Sequence, residues 1–372
     1  MNPAETLRRA LERRGSSDAP AHPPRKGRGA VSNESGRYEA LSREAFDDGW
    51  NTQDESPAPL RTSLTPDSSR TIISRNQSPD IPFECSINPY RGCEHGCVYC
   101  YARPTHAWLG LSPGLDFESK LFFKPNAAEQ LKRELGLPSY RCTPIALGAN
   151  TDPYQPSERR LEITRSILKV LSECEHPVRI VTKGALVERD IDLLAPMAER
   201  SLCAVSVSVT TLDRRLSRLM EPRAAAPERR IRTVKNLSDA GIPVNVLVAP
   251  IIPVLTDREI ELILGEVREA GARSANYVLL RLPLEIKDLF VDWLNTHFPL
   301  KAEHVIKRIR DTRGGKTNDA AFGLRQRGSG EYAELISRRF SLALKRLGFP
   351  GDVELDTSRF RPPSVSNQLP LF

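Results

Sequence analysis

The chain has 372 residues, 54 Lys and Arg against 47 Asp and Glu, a formal net charge of +7, 39% hydrophobic residues and 27% charged ones. That length holds one large α/β domain with appendages or two modest domains. The longest apolar stretch, near residues 244–255, is broken by Asn245, Pro250 and Pro253 and is too short to span a bilayer, so no membrane span is expected.

The first residues, Met1 to Arg28, lack the apolar core of a secretory signal. Seven cysteines are an odd set for a disulfide framework. A cytoplasmic location is therefore expected, with Cys85, Cys142, Cys174 and Cys203 read first as free thiols. Residues 1–80 are dense in Pro, Ser, Gly, Arg and Asp without helical or strand period, which predicts an extended or disordered N-terminal arm with one short helix at Ala4 to Arg14. The piece Lys26-Gly-Arg-Gly-Ala30 reads either as a solvated linker or as an arm that tracks phosphates.

Next comes Cys93-Glu-His-Gly-Cys97-Val-Tyr-Cys100. Three thiolates spaced this way converge on one face of a short loop, a donor set suited to an iron-sulfur cluster with one iron left open. A structural zinc site with His95 or His106 as fourth ligand is the alternative. Cysteines spaced C-x3-C-x2-C with an aromatic before the last resemble the radical S-adenosylmethionine (SAM) superfamily. The wider context, Asn88-Pro-Tyr-Arg-Gly-Cys93 through Cys100-Tyr-Ala-Arg103, is similar to the branch related to spore photoproduct lyase, and the likeness covers roughly residues 80–330. It implies a [4Fe-4S] cluster on Cys93, Cys97 and Cys100, SAM chelated at the fourth iron, cleavage of SAM to a 5′-deoxyadenosyl radical, and a reductase or flavodoxin-type electron donor.

Beyond the loop, apolar runs at Pro144 to Gly148, Val178 to Thr182, Ala204 to Val209, Val244 to Ala249 and Ser274 to Leu279 predict strands. Between them Arg159 to Cys174, Asp190 to Arg200, Pro227 to Ala240 and Asp257 to Ala270 are apolar at helical spacing. Strand, helix, strand order implies parallel strands with right-handed crossovers. With a first strand before the cysteines there are about six units, which fits the partial (β/α)6 TIM-type barrel of the resemblance, spanning residues 81–300. Chemistry in such barrels sits at the C-terminal ends of the strands.

That rule selects candidates. Gly148-Ala-Asn-Thr-Asp-Pro-Tyr-Gln-Pro-Ser-Glu158 offers Asn150, Thr151, Asp152 and Glu158 at the barrel mouth, where the family contacts the SAM amino group, although the superfamily's Gly-Gly-Glu is not present as such. A turn followed by a helix start explains the same residues without a ligand. Lys183 closes the third strand and is suited to the SAM carboxylate. Ser206 and Ser208 share one face of the fourth; facing the lumen they would bind ribose or carboxylate, facing the helices they would only pack. Arg223, in Glu221-Pro-Arg223, can grip a carboxylate with two hydrogen bonds. Ala249 to Pro253 reads as an apolar wall for adenine or as a buried strand end, and Tyr99 is the aromatic nearest the cluster.

Cys142 matches the hydrogen-donating cysteine of spore photoproduct lyase only loosely. It precedes its strand, and eight residues at about 3.3 Å each place it roughly 25 Å from the active end, so the chain departs from the lyase and no catalytic residue is assigned.

Residues 301–350 carry 12 Lys and Arg against 5 Asp and Glu, a basic helical segment with Ser329 to Leu347 amphipathic. Such charge suits nucleic acid or is a solvated helical surface. The tail 351–372 ends in Asn367-Gln-Leu-Pro-Leu-Phe372 behind Pro362, Pro363 and Ser364 to Ser366. It resembles the peptide by which bacterial replication and repair proteins dock on the sliding clamp, with Gln368, Leu369, Leu371 and Phe372 as anchors; a tail folded back on its own core is the alternative. Two functions remain open: a radical SAM enzyme acting on DNA in a repair-like reaction or on another nucleic acid, or a non-catalytic nucleic-acid- or clamp-binding accessory protein with a structural metal centre.

Overall fold

The computed structural model describes residues 25–39 and 60–363. The expected helix Ala4 to Arg14, the spacer Ser364 to Ser366 and the motif Gln368 to Phe372 lie outside the described residues. Among the described residues ten strands follow in chain order: β1 (Ser63–Pro66), β2 (Ile73–Arg75), β3 (Cys85–Ile87), β4 (Tyr90–Arg91), β5 (Lys120–Phe123), β6 (Ile145–Leu147), β7 (Val178–Thr182), β8 (Cys203–Ser208), β9 (Val244–Ile251) and β10 (Ser274–Leu279).

Seven of them form one sheet in the order β10-β9-β8-β7-β6-β3-β2. From β3 to β10 the six neighbours run parallel in chain order, and β2 is added antiparallel beside β3. The sheet ends at β2 and β10, so this is the expected partial barrel with an open seam. A second sheet, β1-β5-β4, carries the segments that flank the cysteine loop.

Alternation along the strands decides which side chains see the lumen. On β8, Cys203, Val205 and Val207 pack in the main core with Leu194, Met197 and Leu237 of the surrounding helices. Ala204, Ser206 and Ser208 therefore face inward. On β9 and β10, Asn245 and Ser274 do the same, and they join Ser206 at one level: the Asn245 Nδ2 donates to Ser206 Oγ at 3.2 Å, and Ser274 Oγ donates to Asn245 Oδ1 at 3.0 Å. The lumen has a polar floor.

The helices depart from expectation in places. The stretch 159–174 is broken into Glu158–Leu161 and Ile163–Glu173 at Glu162, whose φ is 51°. The reason is the buried Glu158 carboxylate, which turns inward to accept the Thr164 N–H at 3.0 Å, Arg189 Nη2 at 2.8 Å and the Tyr90 hydroxyl. It satisfies the first donors of the second helix. β9 extends to Ile251, so Ile251 and Ile252 are core residues and not an open wall. Beyond β10 lie helices Ile286–His297, Pro299–Asp311, Leu324–Arg327 and Glu331–Leu347. Among the described residues no helix is long and apolar enough to cross a membrane.

The reading of Lys26 to Ala30 as linker or phosphate arm is corrected. Arg28, Gly29, Ala30 and Val31 are buried against the cysteine loop. Glu118 is the cause: its carboxylate accepts Gly29 N–H at 2.9 Å and Ala30 N–H at 2.8 Å, while Arg28 Nη1 donates to the Glu118 carbonyl at 2.6 Å.

Candidate active site

The cysteine loop leaves β4 and crosses the C-terminal mouth of the barrel. It is fastened from below by backbone bonds, Cys93 N–H to Phe117 O at 3.0 Å and Val98 N–H to Met220 O at 3.0 Å. The fully buried Arg103 holds its shape, donating to the carbonyls of Cys97 (2.8 Å) and Gly96 (3.1 Å) and pairing with Glu118 at 2.5 Å. A planar guanidinium with five donors satisfies carbonyls that a loop folded outward around its thiols would otherwise leave unpaired.

Cys93 and Cys97 are buried and Cys100 is half-buried. Burial pushes all three thiols up, and Cys93 and Cys97 are raised further by neighbouring acids and by the other thiols of the set. Lys183 opposes this at Cys97 and Cys100, and Arg103 at Cys100. The chemistry of the set, three soft sulfur donors on one loop under the influence of nearby cations, suits an iron-sulfur cluster: ligation would take the thiolate form, whose charge Lys183 and Arg103 would offset. His95 and His106 are each engaged through one ring nitrogen, His95 Nδ1 with Asp152 at 3.2 Å and His106 Nε2 with the Lys120 carbonyl at 2.9 Å.

Tyr99 and Lys183 come together around a residue the sequence did not single out, Glu221. Its buried carboxylate accepts from the Tyr99 hydroxyl, from Arg230 Nη2 and from Thr210 Oγ1 at 2.8 Å, with Lys183 Nζ 3.6 Å away. Lys183 Nζ also donates to the Ala249 carbonyl at 3.3 Å and lies 5.9 Å from the Tyr99 ring centroid. Burial lowers its pKa, and the nearby thiols and Asp152 pull the other way. The available signal for Thr210 and Glu221 was position: both are polar residues following β8.

Asp152 is turned inward. It accepts Thr182 Oγ1 (2.7 Å), Tyr154 N–H (2.9 Å) and Lys183 N–H (2.7 Å) as well as His95. Burial would raise its pKa, but His95 and these donors hold it below the usual carboxylate value. It is a post joining the loop after β6, the end of β7 and the cysteine loop. Asn150 is tied by its N–H to Asn88 Oδ1 at 2.8 Å and is partly exposed. Ser208 faces the lumen one level above Ser206, which belongs to the polar floor. Arg223 stands apart from Lys183: it pairs with Glu94 of the cysteine loop at 2.9 Å. Cys142 lies before β6, beside Cys85 and Tyr140 at the opposite end of the barrel. A cavity of about 840 Å³ at that end, lined by Arg75, Arg179 and Pro144 among others, is remote from Cys93, Cys97 and Cys100.

Residues 87–267 match the profile of the radical SAM superfamily. The chain belongs to this superfamily and is an enzyme of it, a class that implies SAM and an iron-sulfur cluster. It is 38% identical over 233 residues to uncharacterized proteins of Mycobacterium bovis and Mycobacterium tuberculosis, covering 62% of this chain and 67% of each relative. An uncharacterized protein of Methanocaldococcus jannaschii is 31% identical over 182 residues, 49% of this chain and 65% of the relative. Among solved structures, spore photoproduct lyase complexed with dinucleoside spore photoproduct superposes with a TM-score of 0.55 at 15% identity, over 77% of this chain and 80% of that one. That likeness is one of fold.

Proposed function

We propose that Cys93, Cys97 and Cys100 hold a [4Fe-4S] cluster and that the enzyme cleaves SAM reductively to act on nucleic acid, with lesion repair the particular substrate reaction. The observation that carries the reading is the placement of three thiols, two buried and one half-buried, with Lys183 at the mouth of the barrel. Bound there, the cluster would supply the single electron that reductive cleavage of the SAM carbon-sulfur bond requires. The protein's part is to bind, orient and exclude water. Lys183 is a fixed cation for the SAM carboxylate, Tyr99 is pinned by Glu221 and Thr210 as a wall beside Cys100, and Ser208 and Asn150 offer polar groups toward ribose and the amino group. Asp152 and Arg223 act as positioning residues for the loop, through His95 and Glu94.

Anaerobic reconstitution with iron and sulfide, followed by reduction in the presence of SAM, tests this directly. A brown protein that releases 5′-deoxyadenosine is expected, with iron content and release both lost in Cys97→Ser. A colourless protein carrying zinc would reject the reading, and an iron-sulfur protein inert toward SAM would favour a structural centre in an accessory protein.

The nucleic-acid assignment rests on the basic segment 301–350 and on the tail motif, and with it goes a cytoplasmic location and a flavodoxin-type electron donor. Gln368, Leu369, Leu371 and Phe372 would dock on the sliding clamp. Deleting residues 368–372 is expected to abolish clamp binding in a pull-down while SAM cleavage persists; retained binding would refute the docking peptide.

A further inference from the structure

Arg281 follows β10 and so lies at the same end of the barrel as the cysteine loop. Its guanidinium is half-buried and, among the described residues, forms no ion pair; its close partner is the ring of Tyr101, 5.7 Å from the centroid. The neighbouring carboxylate is already taken: Asp80 accepts Arg325 Nε at 2.7 Å, a second bond from Arg325 Nη2, and Gly323 N–H at 3.1 Å. Arg313 adds a further positive charge nearby, with Nη2 donating to the Leu279 carbonyl at 2.7 Å and Nη1 to the Leu324 carbonyl at 2.7 Å. Burial, then Arg325, lowers the pKa of Arg281.

A guanidinium partly removed from water beside two other arginines is unfavourable unless an anion meets it. Tyr101 says what kind of anion. It follows Cys100 directly, its hydroxyl is fixed to the Ala149 carbonyl after β6, and half of it is exposed, at 50%. A pinned ring beside an uncompensated guanidinium presents a stacking face and a two-pronged donor together, which is the chemistry of a base and its phosphate.

We propose that Arg281 and Tyr101 form a subsite for one nucleotide unit of a nucleic-acid strand, with Arg281 on the phosphodiester and Tyr101 against the base. The proposal rests on the reading of this mouth as the reaction chamber. Arg325 is held back by Asp80 and shapes the rim, while Arg281 is the charge left for the ligand.

The test is fluorescence anisotropy of a labelled eight-residue oligothymidylate, and of its uncharged methylphosphonate counterpart, with iron-loaded protein and SAM. Arg281→Gln is expected to weaken the phosphodiester strand by about tenfold to a hundredfold, the range for a hydrogen bond to a charged group. Arg281→Lys recovers part of that loss, since it keeps the charge and loses the fork. The methylphosphonate strand should bind the unaltered protein more weakly than the phosphodiester strand, and R281Q should narrow that difference. Lys169→Gln, exposed on helix Ile163–Glu173 and outside the basic segment, should change nothing. Equal binding of the two strands, or wild-type affinity in R281Q, would overturn the subsite. If R281Q does not fold, as judged by melting temperature and iron content, Arg281→Lys decides: unaltered affinity for the phosphodiester strand would overturn the subsite, and a partial loss supports it. Release of 5′-deoxyadenosine is measured on the same preparation: no release with charge-dependent binding intact removes the enzymatic reading and leaves the subsite, and release without charge dependence does the reverse.

Discussion

His176 is fully buried between Tyr140 and Phe360, its Nε2 2.7 Å from the Tyr140 hydroxyl and its Nδ1 3.0 Å from the Pro177 carbonyl. Nδ1 must donate to the carbonyl, so Nε2 accepts from tyrosine and the ring is neutral. Burial brings its pKa down to about 4, against 6.5 as the ordinary value. Between those values the unfolded chain binds a proton that the folded one refuses, so stability falls as pH falls. At about 1.36 kcal/mol per unit the loss is about 3 kcal/mol by pH 4. Urea unfolding between pH 7 and pH 4.5 should show this decline, and His176→Gln should flatten it; parallel profiles would disprove the assignment. Such a residue was not legible in the sequence, because one histidine beside a proline carries no sign of its depth. The cysteines were legible, since three thiols in eight residues constrain a loop whatever surrounds it.

Among the elements, the strap of residues 25–39 is the largest departure from the sequence reading. Its composition is that of a solvated linker, and what makes it otherwise is distant in sequence: Glu118, held by Arg103, gathers the Gly29 and Ala30 amides. The approach requires glycine, since a Cβ on Gly29 would lie 1.8 Å from the Gly96 carbonyl oxygen. Gly29→Ala should therefore lift the strap from the cysteine loop, at about 1–3 kcal/mol for an overpacked contact. The expected readout is faster loss of cluster absorbance when air is admitted to the anaerobically loaded protein. An unchanged decay would show that the strap does not shield the loop. Strand positions read well from apolar runs, β7 and β10 to the residue, because a run flanked by breakers is a local property. The break at Glu162 did not, because it depends on Tyr90 and Arg189 reaching Glu158.

For the molecule as a whole, six parallel strands set a polarity that separates the thiols into two groups. Cys93, Cys97 and Cys100 lie at the C-terminal mouth, and Cys142 with Cys85 at the other end. Cys142→Ala should leave 5′-deoxyadenosine release unchanged, as measured beside the unaltered enzyme; a severe loss would mean that the barrel works from its opposite end. The loop bearing Asp80 reaches Arg325 of the C-terminal segment, joining elements more than two hundred residues apart in the chain.

The sequence by itself determined the three-cysteine loop, the parallel strand order and the end of the barrel on which the polar strand-end loops lie, because each follows from local spacing or from the chirality of crossovers. Only the tertiary structure decided how the charges are shared there. It showed that Glu221 gathers Tyr99, Thr210 and Arg230, that Asp152 and Arg223 serve the loop, and that Arg281 forms no ion pair among the described residues. Ion pairing is a property of distances between remote segments, and no spacing along one chain records it.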